Sequence, residues 1–145
     1  MSEKVKDILS AVISRLEPLG WPVISGRMID IETDQIPCLA VQFGQIPGIT
    51  SDENGRDDTA RRVSRQLLEL EILVCCRVST KNALMDLEDV HTKVASVLFD
   101  HTDRRLGLLA YDDVLLESRH SYVPDPQTDV GILQMMISIP YIEEY

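Results

Sequence analysis

The chain has 145 residues, with 24 acids against 14 bases and a formal net charge of -10, and a single domain of this size buries roughly 68–70% of its unfolded surface without help from metals or disulfides. So acidic a balance argues against a nucleic-acid binder, which presents a clustered basic face. No run approaches the ~18 apolar residues of a membrane span, and the stretch from Met1 to Asp7 lacks the apolar core of a signal peptide, so the composition reads as a soluble protein made inside a cell.

Ser2 is placed to cap a helix whose stripe is Val5, Ile8, Leu9, Val12, Ile13 and Leu16, and Pro18 and Gly20 stop it. A short extended piece from Trp21 to Met28 leads into the polar residues Asp30 to Gln35. Cys38 to Gly44, entered through Pro37, reads as a strand with Leu39, Val41 and Phe43 on one face. Leu68, Leu70, Ile72, Val74, Cys76 and Val78 alternate with a mixed set, Glu69, Glu71, Leu73, Cys75 and Arg77. That pattern predicts a strand with one face fully buried and the other only partly so. Ala83, Leu87, Val90, Val94, Val97 and Leu98 make a second amphipathic helix, capped by Thr80 or Asn82. Strand patterns run from Asp113 to Tyr122 and, after the stiff Pro124-Asp-Pro126 loop, through Leu133, Met135, Ile137, Ile139 and Tyr141. Two helices beside half-polar strands predict one α+β domain, residues 1–145, with both helices on one face of a mainly antiparallel sheet.

Between the strand patterns lies a polar excursion from Gly44 to Ser64. Its centre carries acids on both sides of Asn54-Gly55, a dipeptide suited to a tight turn. We expect a long hairpin loop projecting from the domain, with a tip, Ser51 to Asp58, that orders only on assembly, because long connections in compact domains usually bind something or are disordered. Asp52, Glu53, Asn54, Arg56, Asp57, Asp58, Arg61, Arg62 and Arg65 form the candidate interface. Arginine suits it, since the planar guanidinium pairs bidentately with carboxylates, which this acidic chain supplies in number for a homo-oligomer. The bland alternative is a solvated hairpin stem with scattered charges.

Catalytic patterns are missing. Glu88-x-x-His91 has the spacing of a di-iron ligand pair, but such sites need a second pair and further carboxylates, so it reads as a solvated helix face. His91, His101 and His120 share no ligand spacing and no H-E-x-x-H motif occurs. There is no G-x-S-x-G elbow and no glycine-rich phosphate loop, and the adjacent acids Asp57-Asp58 and Asp112-Asp113 sit in loop contexts where burial would not split their pKa values. Cys38, Cys75 and Cys76 lie in strand patterns. An odd count with two adjacent residues pointing to opposite faces is a poor disulfide framework, so they read as reduced packing thiols free of metal. No enzyme and no cofactor are expected.

Taken in order, the chain resembles the tail terminator proteins of long-tailed bacteriophages, the lambda-type minor tail protein U family. The resemblance rests on the amphipathic first helix leading to Gly26-Arg27, an acidic segment, and the Pro-entered strand Ile36-Pro-Cys-Leu-Ala-Val41. The polar excursion, the long alternating strand from Leu68 to Val78, the acidic helix start Met85-Asp-Leu-Glu-Asp89 and the closing Tyr141-Ile-Glu-Glu-Tyr145 follow in the same order. It implies a homohexameric ring on the head-proximal end of the tail tube, one that ends tube polymerisation and offers a docking surface to the neck or head completion protein. The location implied is the virion, after synthesis in the host cytoplasm, with DNA sliding through an acidic lumen that repels phosphate and binds no sequence. The arginine-bearing excursion departs from the family pattern in detail. The alternatives are a neck or head–tail joining protein of related fold, a monomeric adaptor, or a small hydrolase whose site the motifs do not reveal.

Overall fold

The computed structural model describes residues 3–26, 36–56 and 62–144, with the backbone course alone for 45–56, 62–63 and 144. Helix α1 (Glu3–Leu16) forms on the predicted stripe and buries Val5, Ile8, Val12 and Leu16. It tightens into one 3-10 turn over Glu17–Leu19 and is closed by Gly20 at φ 74°, whose N–H donates to the Glu17 carbonyl. A left-handed closing residue of this kind is where glycine is favoured. Strands β1 (Val23–Ser25), β2 (Cys38–Arg56) and β3 (Arg62–Arg77) lead to helix α2 (Ala83–Leu98), then to β4 (Leu115–Tyr122) and β5 (Val130–Glu144). The expected cap Ser2 and the polar run Asp30 to Gln35 lie outside the described residues. Asn82 stands at the N-cap of α2, as expected, yet its side chain makes no capping bond. The turn before α2 is held instead by the Asp86 carboxylate, which accepts from the Ser79 N–H at 2.7 Å, and by the Ser79 hydroxyl, which accepts from the Asn82 N–H at 3.0 Å.

The five strands form one mixed sheet in the order β1-β2-β3-β5-β4. Only β1–β2 is parallel; the other three pairs are antiparallel. The last strand therefore lies inside the sheet, between β3 and β4. Leu68, Leu70, Ile72 and Val74 of β3 share a face with Leu133, Met135, Ile137, Ile139 and Tyr141 of β5, and all are buried with the apolar stripes of α1 and α2 in a single core. This is the α+β class, with both helices on one side of the sheet. Gly131 shows how closely α2 is seated. A Cβ there would stand 2.8 Å from Val78 Cγ1 and 2.9 Å from Leu87 Cδ2, inside the van der Waals limit.

The expected long loop is corrected. β2 runs on to Arg56 and β3 begins at Arg62, so most of the excursion is strand. Asn54 and Gly55 do not form the turn; they stand in the ladder opposite Ser64 and Val63. Nor is Ser51–Arg56 a structureless tip. A two-stranded ladder satisfies its own backbone hydrogen bonds whatever the side chains, so polarity alone does not make a loop. The polar content is absorbed as irregularity: the register slips between Phe43 and Gln45, between Gln45 and Gly48, and between Ile49 and Asn54. The second slip brackets Pro47, which donates no hydrogen bond and belongs at such a bulge or on an edge.

Candidate functional site

Of the nine interface candidates, Asp57, Asp58 and Arg61 lie outside the described residues. Asp52, Glu53, Asn54 and Arg56 are positions on the distal part of β2, and Arg62 opens β3. The ladder brings three of them together at its end: Arg56 stands opposite Arg62, and Asn54 two positions further in opposite Ser64. Arg65 is the candidate whose side chain is described. It is exposed, stands opposite Ile142 of β5, and holds its guanidinium carbon 5.7 Å from the ring centre of Tyr111. That is a cation–π contact, and it ties the sheet to the loop after α2. Sequence reading missed Tyr111 as a partner because the two residues meet only through the docking of that loop.

The face of the sheet turned away from both helices is the larger feature. Register places Cys38, Ala40 and Gln42 of β2 on it, with Arg65, Glu69, Glu71, Leu73 and Cys75 of β3. From β5 and β4 it receives Gln134, Met136, Ser138 and Ile142, then Leu115, His120 and Tyr122. Two pairs of its polar groups meet locally. The Gln42 amide donates to Glu71 Oε1 at 2.7 Å, and the Ser138 hydroxyl donates to Glu117 Oε1 at 2.6 Å. The rings of His120 and Tyr122 meet at a tilt of 34° with their centres 5.1 Å apart. Between these groups Leu115 (55% exposed), Tyr122 and Ile142 stay open. Among the described residues no helix packs on this face. A surface that mixes polar groups with exposed apolar and aromatic side chains has the make-up of a protein contact face. The half-polar alternation of the strands predicted such a face, but not its apolar members on β4, where a bulge between Leu116 and Ser118 breaks the pattern.

Two polar clusters carry residue types that could do chemistry. The loop after α2 and the end of α1 line an open cleft of about 280 Å³ between Arg15, His101, Arg104, Asp113 and Leu115. Its cations are already matched: Arg15 Nη2 lies 2.9 Å from Asp103 Oδ2 while Nη1 donates to the Leu98 carbonyl at 3.1 Å, and Arg104 and Arg105 lie 3.8 and 3.7 Å from Asp113. Hydrogen bonds from the Thr102 hydroxyl and N–H hold the Asp100 carboxyl below its ordinary range. Asp103 also accepts the Gly107 N–H at 2.9 Å, shaping a turn in which Leu106, Gly107 and Leu108 all take positive φ. The cleft is thus the packing of a loop against a helix end. The second site is Glu88-x-x-His91. Glu88 there pairs with Arg119 of β4 at 3.1 Å, and His91 is half-buried, its pKa lowered by burial and then by Arg119, against an opposing pull from Glu88. Its Nε2 has no hydrogen-bond partner. Glu88 stays exposed, as a solvated helix face predicts, while its pairing with Arg119 also joins α2 to β4.

Compared with known proteins, the sequence matches no family model and no curated protein. Among the described residues no helix is long and apolar enough to cross a membrane.

Proposed function

We propose that this chain is a structural assembly protein of the tail-terminator type. Copies close into a ring, a hexamer by the family resemblance, that caps the head-proximal end of a phage tail tube, ends its polymerisation and receives the neck or head. The observation that carries the reading is the sheet face opposite the helices, with Leu115, Tyr122 and Ile142 exposed beside two hydrogen-bonded polar pairs. A second apolar patch, Leu84 (72% exposed) and Met85 (69% exposed), belongs to the helix layer at the start of α2. A two-fold dimer needs one self-complementary patch, whereas ring closure needs two different patches that meet head to tail. This domain offers two, on its two layers. The net charge of -10 suits a lumen that passes DNA without holding it. The role requires no catalytic step and no cofactor, only self-association and contacts with tube and neck proteins inside the virion.

Electron microscopy of the purified protein, alone and with tail tubes, tests this. The expected result is six-fold rings on one end of tubes that stop lengthening. A protein that stays monomeric at high concentration and leaves tube length unchanged overturns the proposal.

A further inference from the structure

The three cysteines do not divide as their spacing suggests. Cys75 and Cys76 are neighbours in sequence, but they face opposite sides of the sheet. Cys76 lies in the core with its thiol 3.6 Å from the Gly131 carbonyl, to which it donates. Cys38 and Cys75, by contrast, are direct cross-strand partners in the β2–β3 ladder, on the face turned away from the helices. Residues directly opposed in an antiparallel pair have Cα atoms about 4.5 or 5.5 Å apart, according to their place in the hydrogen-bond pattern. A disulfide accepts Cα separations of about 4.4–6.8 Å, so either place suits it. The two residues thus stand directly beside each other on that face of the ladder. Both are buried, at 1% and 5% exposure, and free.

We propose that Cys38 and Cys75 form a dithiol modification site that a hydroperoxide closes into a cross-strand disulfide at the base of the β2–β3 hairpin. The chemistry needs a small oxidant, because the burial of both sulfurs bars a bulky one. Cys38, whose pKa burial raises and Cys75 in turn lowers, attacks as the thiolate. Its sulfur takes the terminal oxygen of hydrogen peroxide as the O–O bond breaks, giving a sulfenic acid, and hydroxide leaves and is protonated to water. The Cys75 sulfur then attacks the Cys38 sulfur, the S–O bond breaks, and a second water leaves with the Cys75 proton. Two thiols lose two electrons and one peroxide gains them. Burial raises both pKa values, Cys75 to about 11, so thiolate is scarce at neutral pH and closure is slow. This is the profile of a modification site and not of a catalytic peroxidase. The bond would pin the entry of β2, where β1 also pairs through Val23 and Leu39.

The test is intact and peptide mass spectrometry of the folded, freshly reduced protein after hydrogen peroxide treatment. The expected result is the loss of two hydrogens per chain, reversed by a thiol reductant, with Cys38 linked to the peptide carrying Cys75. Trypsin leaves Cys75 and Cys76 on one peptide, so a Cys76→Ala variant should keep the link and a Cys75→Ala variant lose it. Should either variant fail to fold, fragment ions of the wild-type linked peptide assign the sulfur directly. A link through Cys76, a link between chains, sulfinic acid without a link, or no change while a free cysteine peptide in the same tube is fully oxidised would each overturn the proposal.

Discussion

The two faces of the central sheet differ in kind. On one, Leu70, Ile72, Met135 and Ile137 are wholly buried beneath two helices. On the other, strands of the same ladder present Glu69, Glu71, Gln134 and Met136 half-buried, with Leu115, Tyr122 and Ile142 exposed. The backbone pairing is shared, so what separates the faces is the partner each one meets. The helix face carries the stability of the domain. The open face keeps apolar area that contributes little until something covers it, which is the condition for assembly without loss of a folded monomer.

The largest expected effect tests that division directly. Ile72→Ala removes a wholly buried side chain and should cost about 2–5 kcal/mol in urea unfolding, while Leu115→Ala on the open face should stay within about 0.5 kcal/mol and reduce self-association instead. Equal losses from the two would erase the distinction. Next, Gly131→Ala forces a methyl group against Val78 and Leu87, and a destabilisation of about 1–3 kcal/mol is expected by the same measurement. An unchanged midpoint would show that α2 is seated less tightly than the geometry implies.

Smaller effects concern the arginine edge. Arg62→Glu with Arg65→Glu should leave the circular dichroism spectrum unchanged and weaken the proposed ring assembly, and rising salt should weaken self-association of the wild type in the same way. Each exposed pair is worth only ~0.2–1 kcal/mol, but the loss repeats at every interface of a ring. Unaltered sedimentation and normal complementation of a terminator-deficient phage would remove these arginines from the interface.

The smallest effect is set by pH. His91 has its pKa lowered below 6.5 in the folded protein, first by burial and then by Arg119. The unfolded chain therefore binds a proton more readily, and the folded state loses stability as pH falls below 6.5 toward the folded pKa. Denaturation midpoints of the wild type and a His91→Gln variant should diverge in that direction over this window and run parallel above it. Parallel curves throughout would show that the imidazole is freely hydrated.

Much of the architecture was legible in the residues. Periodicity alone placed the α1 stripe, the alternation from Leu68 to Val78, the α2 stripe, and the buried set from Leu133 to Tyr141, because burial of one face imposes a period that survives in the chain. The same reasoning foresaw a sheet covered on one side only. It failed from Gly44 to Ser64, where polar residues around Asn54-Gly55 suggested a loop and the chain instead carries its ladder on to Arg56 and Arg62. Side-chain polarity records contact with water, not whether backbone groups are paired.

What the tertiary structure alone decided are the meetings of residues far apart in sequence. The insertion of β5 between β3 and β4, Arg65 over Tyr111, Arg119 on Glu88, and Cys38 opposite Cys75 depend on strand order and register. The sequence by itself determined which residues avoid water and with what period. It did not determine which strand lies beside which, since the choice of neighbour rests on the summed packing of whole faces, and no single residue carries that sum.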